Sequence, residues 1–394
     1  MSIYSLRPYI GNFPLIGGYG LSPYIGGDRE LAPDHFVANF NTSITGGTGS
    51  PADQLKLPFP ASYEVHWGDG TVNNLNSHTY AGGAGVYTVE IFTPVTDFRF
   101  NNTGDCLKLV DMVSLGEGFE INATGTWSGC RNMVYSTDDI PIINTTNLSN
   151  TFQDCELLNV TNTLSGWDVS NVERMAFMFS NATAFNGDIT GWDTGNIIDL
   201  AGMFLGASTF NQDIGGWDVS SVVSCGALFL NATSFNQDLN TWDTSNFFTL
   251  EFMFLGATSF NQDISGWNVA SVTNFSSMFS NAWSFNQDIS GWNVTSASNF
   301  SSMFSFAWSF NQDLTGWTFT NATNLTAMLD NCGMDTANYD AFLVNMNSQA
   351  ATINSGLTLG AQGRTYTIGG AGETARTALG GSPALMSFVG DSGV

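Results

Sequence analysis

Residues 260–279 read FNQDISGWNVASVTNFSSMF, and residues 285–304 repeat them as FNQDISGWNVTSASNFSSMF. The two stretches begin 25 residues apart, and the same spacing separates seven tryptophans, at positions 167, 192, 217, 242, 267, 292 and 317. A fixed period of about 20–50 residues is the signature of a repeat array, in which each unit buries its apolar edge only by stacking on its neighbours. The sequence therefore predicts a stack of 25-residue units that is regular from residue 165.

Each unit combines two hydrophobic patterns. The apolar residues between Val272 and Ala282 recur mostly at intervals of three or four, which is typical of a short helix with one buried face. Residues 285–294 then place apolar side chains among polar spacers and a glycine, which favours a short strand and a turn. Together these patterns predict a mixed α/β repeat solenoid of leucine-rich-repeat type, with one short strand and one short helix per 25-residue coil.

Two polar positions recur in every regular unit. An asparagine such as Asn186 follows a phenylalanine, and we expect it to form an inward ladder that satisfies backbone groups of a tight turn. Stacked aspartates would repel one another, so one hypothesis is that calcium ions compensate them. The alternative, favoured by the low density of ligands, is that each carboxylate accepts N–H groups of its own turn and that the chain needs no cofactor. These aspartates are Asp188, Asp213, Asp238, Asp263, Asp288 and Asp313.

The chain is strongly acidic. Its 394 residues include 9 Lys and Arg against 34 Asp and Glu, a formal net charge of −25. Such a surface repels nucleic acid and anionic lipid, so we expect neither as a partner. No run of about 20 apolar residues could cross a membrane, and the first residues lack the basic and apolar regions of a secretory leader.

The five cysteines occupy small or apolar positions of the repeat pattern. We therefore expect all five to be buried core residues, because free cysteine behaves as a small apolar side chain. Their spacing does not match that of a zinc site. A disulfide between stacked Cys130 and Cys155 is compatible with the spacing of neighbouring units and stays open.

Composition divides the chain into four segments. Residues 1–35 form an aromatic arm rich in glycine and proline, residues 36–95 alternate as in an antiparallel β-sandwich, and residues 96–332 hold about ten repeats. Residues 333–394 leave the period, and we expect them to form a C-terminal cap of two helices and a strand. The arm is predicted to anchor the chain to another surface through Tyr4, Tyr9, Phe13, Tyr19 and Tyr24.

One segment carries a resemblance of its own. The string SYEVHWGDGT (62–71), followed by HTY (78–80) and YTV (87–89), resembles the polycystic-kidney-disease-type immunoglobulin-like domain. This resemblance implies an Ig-like β-sandwich over residues 36–95, with Asp69 in a tight turn and structural roles for His66 and His78. A catalytic role for the histidines is the alternative.

The repeat units, of the form MF..A..FNQDI..WDVS.V, carry a second resemblance. They resemble the BspA-like surface-protein repeats found in Mycoplasma lipoproteins, many marine bacteria and some phages. The tail GLTLGAQGRTYTIGGAGETARTAL (356–379) is similar to a segment that often follows such repeats. The resemblance implies a surface-exposed, non-catalytic adhesion or scaffold protein.

Three aromatic residues break the polar pattern of the repeat. Trp283 and Trp308 stand at a position that is threonine or serine in the four preceding units, and Phe306 stands where those units have asparagine or glycine. Because clustered exposed aromatics are enriched at interfaces, we predict that Trp283, Phe306 and Trp308 form a contact patch. The alternative is that the C-terminal cap covers them. The seven periodic tryptophans, in contrast, are expected in the core, since an exposed ladder of indoles would favour aggregation.

The sequence lacks the nucleophile elbow, phosphate loop and HExxH motifs of common enzymes, so we do not expect an enzyme. A carbohydrate-active enzyme with paired carboxylates is a lesser alternative. The absent leader and the adhesive arm favour a virion surface protein of the phage fibre or decoration type, with the arm bound to other virion proteins. Its rigid acidic solenoid would contact a host glycan or protein receptor, and the chain would act as a homo-oligomer or in a larger assembly. The alternative is an extracellular adhesin on a bacterial cell surface.

Overall fold

The computed structural model describes residues 35–59, 62–159, 164–381 and 386–394. These residues belong to one compact unit, Asp34–Val394. The predicted anchoring residues Tyr4, Tyr9, Phe13, Tyr19 and Tyr24 lie outside the described residues.

Short strands dominate the regular secondary structure of the described chain, which has two α-helices. The helices are α1 (Thr336–Ser348) and α2 (Ala371–Leu379). The strands are β1 (Phe36–Asn41), β2 (Gln54–Lys56), β3 (Val65–His66), β4 (Val72–Asn73), β5 (Ser77–Thr79), β6 (Val86–Ile91), β7 (Leu109–Ser114), β8 (Glu120–Ile121), β9 (Val134–Tyr135), β10 (Ile142–Ile143), β11 (Leu357–Gly360), β12 (Thr365–Tyr366), β13 (Met386–Val389) and β14 (Ser392–Gly393).

A six-stranded sheet in the order β4-β3-β6-β1-β7-β9 begins the compact unit. Strand β1 pairs antiparallel with β6 on one edge and with β7 on the other, and β7 pairs in parallel with β9. The predicted Ig-like β-sandwich over residues 36–95 is therefore not formed as a closed domain, because the sheet continues into residues 109–135. The backbone groups on the second edge of β1 find their partners in β7, at the start of the repeats.

The prediction of an α/β repeat solenoid is wrong, because the regular repeats from residue 165 to residue 332 contain neither an α-helix nor a regular strand. Two residues in each unit adopt positive φ, for example Ser277 (53°) and Asn281 (57°), whereas an α-helix requires φ near about −60° at every residue. The apolar residues from Val272 to Ala282 are buried as predicted. Consecutive turns, instead of a helix, bring them to one side.

Alternate backbone N–H groups of a unit form two kinds of hydrogen bond. Met278 N–H donates to Phe275 O at 3.1 Å within the same unit, whereas Ser277 N–H donates to Ser301 O at 2.8 Å in the next unit. Isolated parallel bridges link residues 25 apart, such as Asn274 and Asn299. Stacking of successive units therefore satisfies backbone groups that a helix would have paired internally.

Columns of aromatic side chains, one residue from each unit, fill the interior of the repeats. Phe254 and Phe279 stack with ring centroids 5.7 Å apart, and the equivalent rings of neighbouring units follow the same geometry. The seven periodic tryptophans are all buried, which confirms the prediction that they are core residues. Six of them, from Trp192 to Trp317, donate their indole N–H to a carbonyl oxygen 28 residues earlier in the chain.

The five cysteines are buried and free, as predicted for core residues. Burial raises the pKa of the Cys130 and Cys155 thiols well above the ordinary value, so both stay protonated at neutral pH. Cys155 Sγ–H donates to Trp127 O at 3.2 Å. The Cys130–Cys155 disulfide is not present.

The C-terminal segment contains both helices that its sequence predicts. Asp335 caps α1 by accepting the Asn338 N–H at 2.9 Å, and β11 continues the stack through a parallel bridge between Leu325 and Leu359. Arg376 of α2 donates to both carboxylate oxygens of the buried Asp391, at 2.7 and 2.8 Å. No helix in the described part of the chain is long and apolar enough to cross a membrane.

Candidate functional site

Trp283 and Trp308 form a stacked pair on the surface of the repeats. Their ring centroids lie 4.9 Å apart with an angle of 11° between the ring planes. The side chains are nevertheless 44% and 57% exposed, whereas the periodic tryptophans of the core are at most 5% exposed. Large aromatic side chains left this open are the candidates for contact with another molecule.

Phe306 is exposed by 42% and lies two residues before Trp308. Its φ of +58° places it in the left-handed region, which costs a non-glycine residue about 1–2 kcal/mol and is rare for a bulky one. The equivalent position is glycine in two earlier units and asparagine in three, the residue types that tolerate this conformation. The fold therefore does not favour phenylalanine here.

The two tryptophans replace a ladder of hydroxyl groups. In the preceding units the side chains of Ser208, Thr233 and Thr258 each donate to the backbone carbonyl at the same position one unit earlier, at 3.2–3.3 Å. Trp283 and Trp308 cannot make this bond. The exchange gives neighbouring units an indole–indole contact but loses these hydrogen bonds and leaves both side chains exposed, which argues for a role outside the fold.

The indole N–H groups also differ between surface and core. Trp292 in the core donates to Ile264 O at 3.2 Å, and its equivalents do the same. Trp283 and Trp308 are not hydrogen-bonded to any described residue. Neither indole N–H therefore has an acceptor among the described residues, and a bound molecule can supply one.

The described part of the C-terminal cap does not cover the patch. Gly333, where the cap begins, passes the backbone of Trp308 so closely that a Cβ there would lie 2.2 Å from Trp308 O. The indole ring of Trp308 still remains more than half exposed. Trp283 and Trp308 contact one another, whereas Phe306 makes no ring contact with either of them and shares only their exposure. We call these three exposed side chains the aromatic patch.

The aspartate column has a local structural role. The carboxylate of each of the six predicted residues accepts the backbone N–H of the residue two positions later, at 2.7–3.0 Å, which is the geometry of an Asx turn. The hydrogen bond from Ser265 N–H lowers the pKa of the Asp263 carboxyl, and Ser290 N–H has the same effect on Asp288. These carboxylates are therefore individually stabilised in their charged form.

Two of the six aspartates, Asp213 and Asp238, border an open cavity of about 470 Å³, which Asp218 from outside the column also lines. No group of three or more acidic, cysteine or histidine side chains in the described ranges is arranged to hold a metal ion. Calcium binding along the column thus stays a hypothesis without a ligand cluster to support it.

The predicted asparagine ladder forms, but at the surface. Asn236 Oδ1 accepts the backbone N–H of Asn261 at 2.9 Å. The same hydrogen bond joins each asparagine of the column to the one 25 residues later, from Asn186 to Asn311. The asparagines are exposed or half-buried, so the prediction that they point inward is wrong. Amide groups can remain partly hydrated at the surface, whereas the interior is filled by the aromatic columns.

The histidine nearest to a carboxylate lies on β5, which pairs with β2 in a separate two-stranded sheet. His78 Nε2 is 2.7 Å from Asp69 Oδ2, and the imidazole stacks on Trp67 with centroids 5.2 Å apart. Asp69 Oδ1 also accepts Thr71 N–H at 2.9 Å, so the carboxylate joins the WGDGT turn to β5. These contacts favour the structural role over the catalytic one.

Sequence reasoning missed a second group of exposed apolar residues. Val223 (50% exposed) and Phe248 (60% exposed) occupy a position at which Ser298 and Thr323 form a hydroxyl ladder at 3.1–3.3 Å. The signal was the same as for the tryptophans, a change from hydroxyl to apolar side chain at a fixed position of the unit. These two residues are not part of the aromatic patch.

Residues 146–254 and 237–342 match a protein-family model described as Mycoplasma protein of unknown function, DUF285. Together the two matches span half of the chain. It is a member of the DUF285 family. The resemblance of the repeats to Mycoplasma surface-protein repeats is thus confirmed at the level of the family, and the aromatic patch of this DUF285 protein lies within the second matched stretch.

No curated protein and no solved structure shows significant similarity to this DUF285 chain. The resemblance of residues 62–89 to the polycystic-kidney-disease-type domain is not supported by a family match.

Proposed function

We propose that this DUF285 protein is a non-catalytic surface recognition protein that contacts its target through the aromatic patch. The stacked pair Trp283–Trp308 carries this proposal. It is an exposed aromatic surface at positions where the repeat otherwise places small polar residues that hydrogen-bond within the stack.

The surroundings of the patch support recognition instead of catalysis. The repeating carboxylates, such as Asp263 and Asp288, are held in Asx turns, and each turn is the same as the next, so no pair of them is distinguished as an acid and a base. The side chains of the patch contain no titratable group. A site of this composition binds through stacking and hydrogen bonds.

For the biological setting we favour a virion surface protein, of the phage fibre or decoration type, whose aromatic N-terminal arm binds other virion proteins. Its acidic surface disfavours nucleic acid and anionic lipid as partners. The second candidate is an adhesin on a bacterial cell surface, and the description of the matched family as a Mycoplasma protein favours that candidate.

Two measurements test the proposal. The setting is tested by mass spectrometry of purified virus particles alongside surface-shaved bacterial cells from the same culture. Finding the chain in particles supports the virion role, and finding it only among peptides shaved from cells supports the adhesin.

The role of the patch is tested by binding of the labelled full chain to intact bacteria. The variant Trp283→Thr/Trp308→Thr restores the residue type of the earlier units and should keep the fold. We expect it to lose at least about tenfold in affinity, since hot-spot aromatics typically contribute more than 1 kcal/mol each. Unchanged binding by a folded double variant would rule out the patch as the contact site.

A further inference from the structure

The ligand class of the aromatic patch can be argued from its geometry. Trp283 and Trp308 lie in successive units with their ring centroids 4.9 Å apart. Each has an indole N–H that is not donated to any described residue. One face of each indole lies against the other ring, so the site combines the ring edges and outer faces of the pair with two hydrogen-bond donors, repeated at the spacing of one unit. A ligand that fits it has an apolar face, oxygen acceptors and a repeat of similar length.

Polar residues flank the rings. Ser284 and Ser309, which directly follow the two tryptophans in the sequence, are exposed. Asn281, two residues before Trp283, is half-buried. Hydroxyl and amide groups at the edge of an aromatic surface can both donate and accept hydrogen bonds. Pyranose sugars have this complementary character, because their C–H groups form an apolar face and their hydroxyl groups form a polar rim.

The charge of the chain restricts the class of ligand further. A formal net charge of −25 repels anionic ligands such as sialylated or sulfated glycans and phosphate-bearing chains. Cationic ligands would be drawn to the aspartate column, which is a different set of residues. The patch therefore fits a neutral ligand.

The small size of the patch argues against a protein as its main ligand. A stable protein–protein interface takes about 800 Å² from each partner, with a packed apolar centre that excludes water. Three aromatic side chains bordered directly by exposed serines provide a small part of such an area. A few sugar residues, in contrast, are covered by a surface of this extent.

We propose that Trp283, Trp308 and Phe306 form a binding site for a neutral glycan, in which consecutive pyranose residues of the chain lie along the stacked indoles and accept hydrogen bonds from their N–H groups. The inference rests on the proposed recognition role of the same patch. To that role it adds the chemical class of the ligand.

The test is a titration of the full chain with neutral oligosaccharides, namely cello-, malto-, xylo- and chito-oligosaccharide hexamers, followed by calorimetry and by tryptophan fluorescence. We expect at least one hexamer to bind, and Trp283→Thr/Trp308→Thr to weaken it about tenfold or more. The matched control is Phe248→Thr, which also replaces an exposed aromatic residue by the hydroxyl residue of its position. Unchanged sugar affinity is the expected result for this control.

The outcomes separate the glycan inference from the recognition role. Absence of binding to all four hexamers at millimolar concentration overturns the neutral glycan. If the tryptophan double variant still loses binding to intact bacteria in that case, the recognition role of the patch stands. Equal loss of sugar affinity in Phe248→Thr and in the double variant would also overturn the inference, because the effect would not be specific to the patch.

Discussion

Lys108 Nζ lies 3.4 Å from Asp105 Oδ1, and both side chains are almost completely buried. The lysine also donates to the backbone carbonyls of Ser50, Pro51 and Gln54 at 2.6–2.9 Å. Asp105 accepts both the backbone N–H and the hydroxyl of Ser50 at 2.6 Å. This ion pair therefore joins the loop after β1 to the start of the repeats, and every charged group in it has several hydrogen-bond partners.

We predict that Lys108→Met lowers the free energy of unfolding by about 3–5 kcal/mol, because it leaves the buried carboxylate of Asp105 without its counter-ion. Urea unfolding followed by circular dichroism measures the loss. Lys56→Met is the matched control, since the side chain of Lys56 is exposed and the change should stay within about 0.5 kcal/mol. Equal stability of the two variants would contradict the prediction.

Trp242→Phe tests the hydrogen bonds of the core indoles. The change removes the N–H that donates to Ile214 O at 3.1 Å, and this carbonyl keeps only the backbone N–H of Trp217 as a donor. We expect a loss of about 1–3 kcal/mol in unfolding free energy, measured by urea denaturation, from the lost hydrogen bond together with the cavity that the smaller ring leaves. Trp283→Phe, at an exposed indole whose N–H has no acceptor in the described chain, should cost less than about 0.5 kcal/mol. The prediction fails if the surface variant is as destabilised as the core variant.

Gly256→Ala tests the left-handed positions. Gly256 has a φ of +69°, and a Cβ there would lie 2.2 Å from Asn231 Oδ1 in the preceding unit. We expect a loss of about 1–2 kcal/mol from the left-handed backbone, because the clashing atom ends the Asn231 side chain and can rotate away. Gly216→Ala meets no atom within 4 Å and has no positive φ, so thermal melting should show little change for it.

A decrease in stability at low pH follows from the aspartate column. Backbone N–H groups lower the pKa of Asp263 and Asp288 from the ordinary 3.8. Such carboxyls contribute stability above their unfolded pKa and lose this contribution as the pH falls through the folded value. We therefore expect the melting temperature to decrease as the pH drops below about 4. The double variant Asp263→Asn/Asp288→Asn should show a smaller decrease in melting temperature at low pH, because asparagine does not titrate. Asparagine can hold such a turn, as Asn268 does by accepting the N–H of Ala270.

The comparison of the two pH profiles is the decisive measurement for these carboxyls. Profiles that run parallel from neutral pH to about pH 3 would show that other groups cause the acid transition.

Removal of divalent cations tests the calcium hypothesis. Because each repeated aspartate already accepts an N–H of its own turn, as Asp238 does from Asn240 at 2.8 Å, we expect EDTA to leave the melting temperature unchanged. Differential scanning calorimetry with EDTA and with added calcium measures this. A rise of several degrees with calcium would show that the column binds the ion.

The period and the identity of the core residues could be predicted from the sequence, whereas the backbone conformation of the unit could not. Apolar spacing reports which side chains are buried, and from Val272 to Ala282 a series of turns buries the same residues as a helix would. A signal for the turns was present in the alternation of asparagine and glycine at Asn181, Gly206 and Asn231, since these residue types favour positive φ. The helices α1 and α2, which lie outside the period, were predicted correctly.

The exposed tryptophans of the candidate site could also be found in the sequence, because they interrupt a column of hydroxyl residues. Their stacking and their undonated N–H groups depend on the distance between units and needed the structure. The buried pair of Asp105 and Lys108 gave no signal, since an isolated lysine in an acidic chain is expected to be exposed.

The hydroxyl ladder has a further consequence for how such a chain can diversify. A residue such as Thr258 meets the rest of the protein through one hydrogen bond to the preceding unit, while the aromatic interior lies behind it. Changing that residue alters what one unit displays to the outside and leaves the inner columns as they are. New binding preferences can therefore arise by single substitutions on an unchanged frame, one unit at a time.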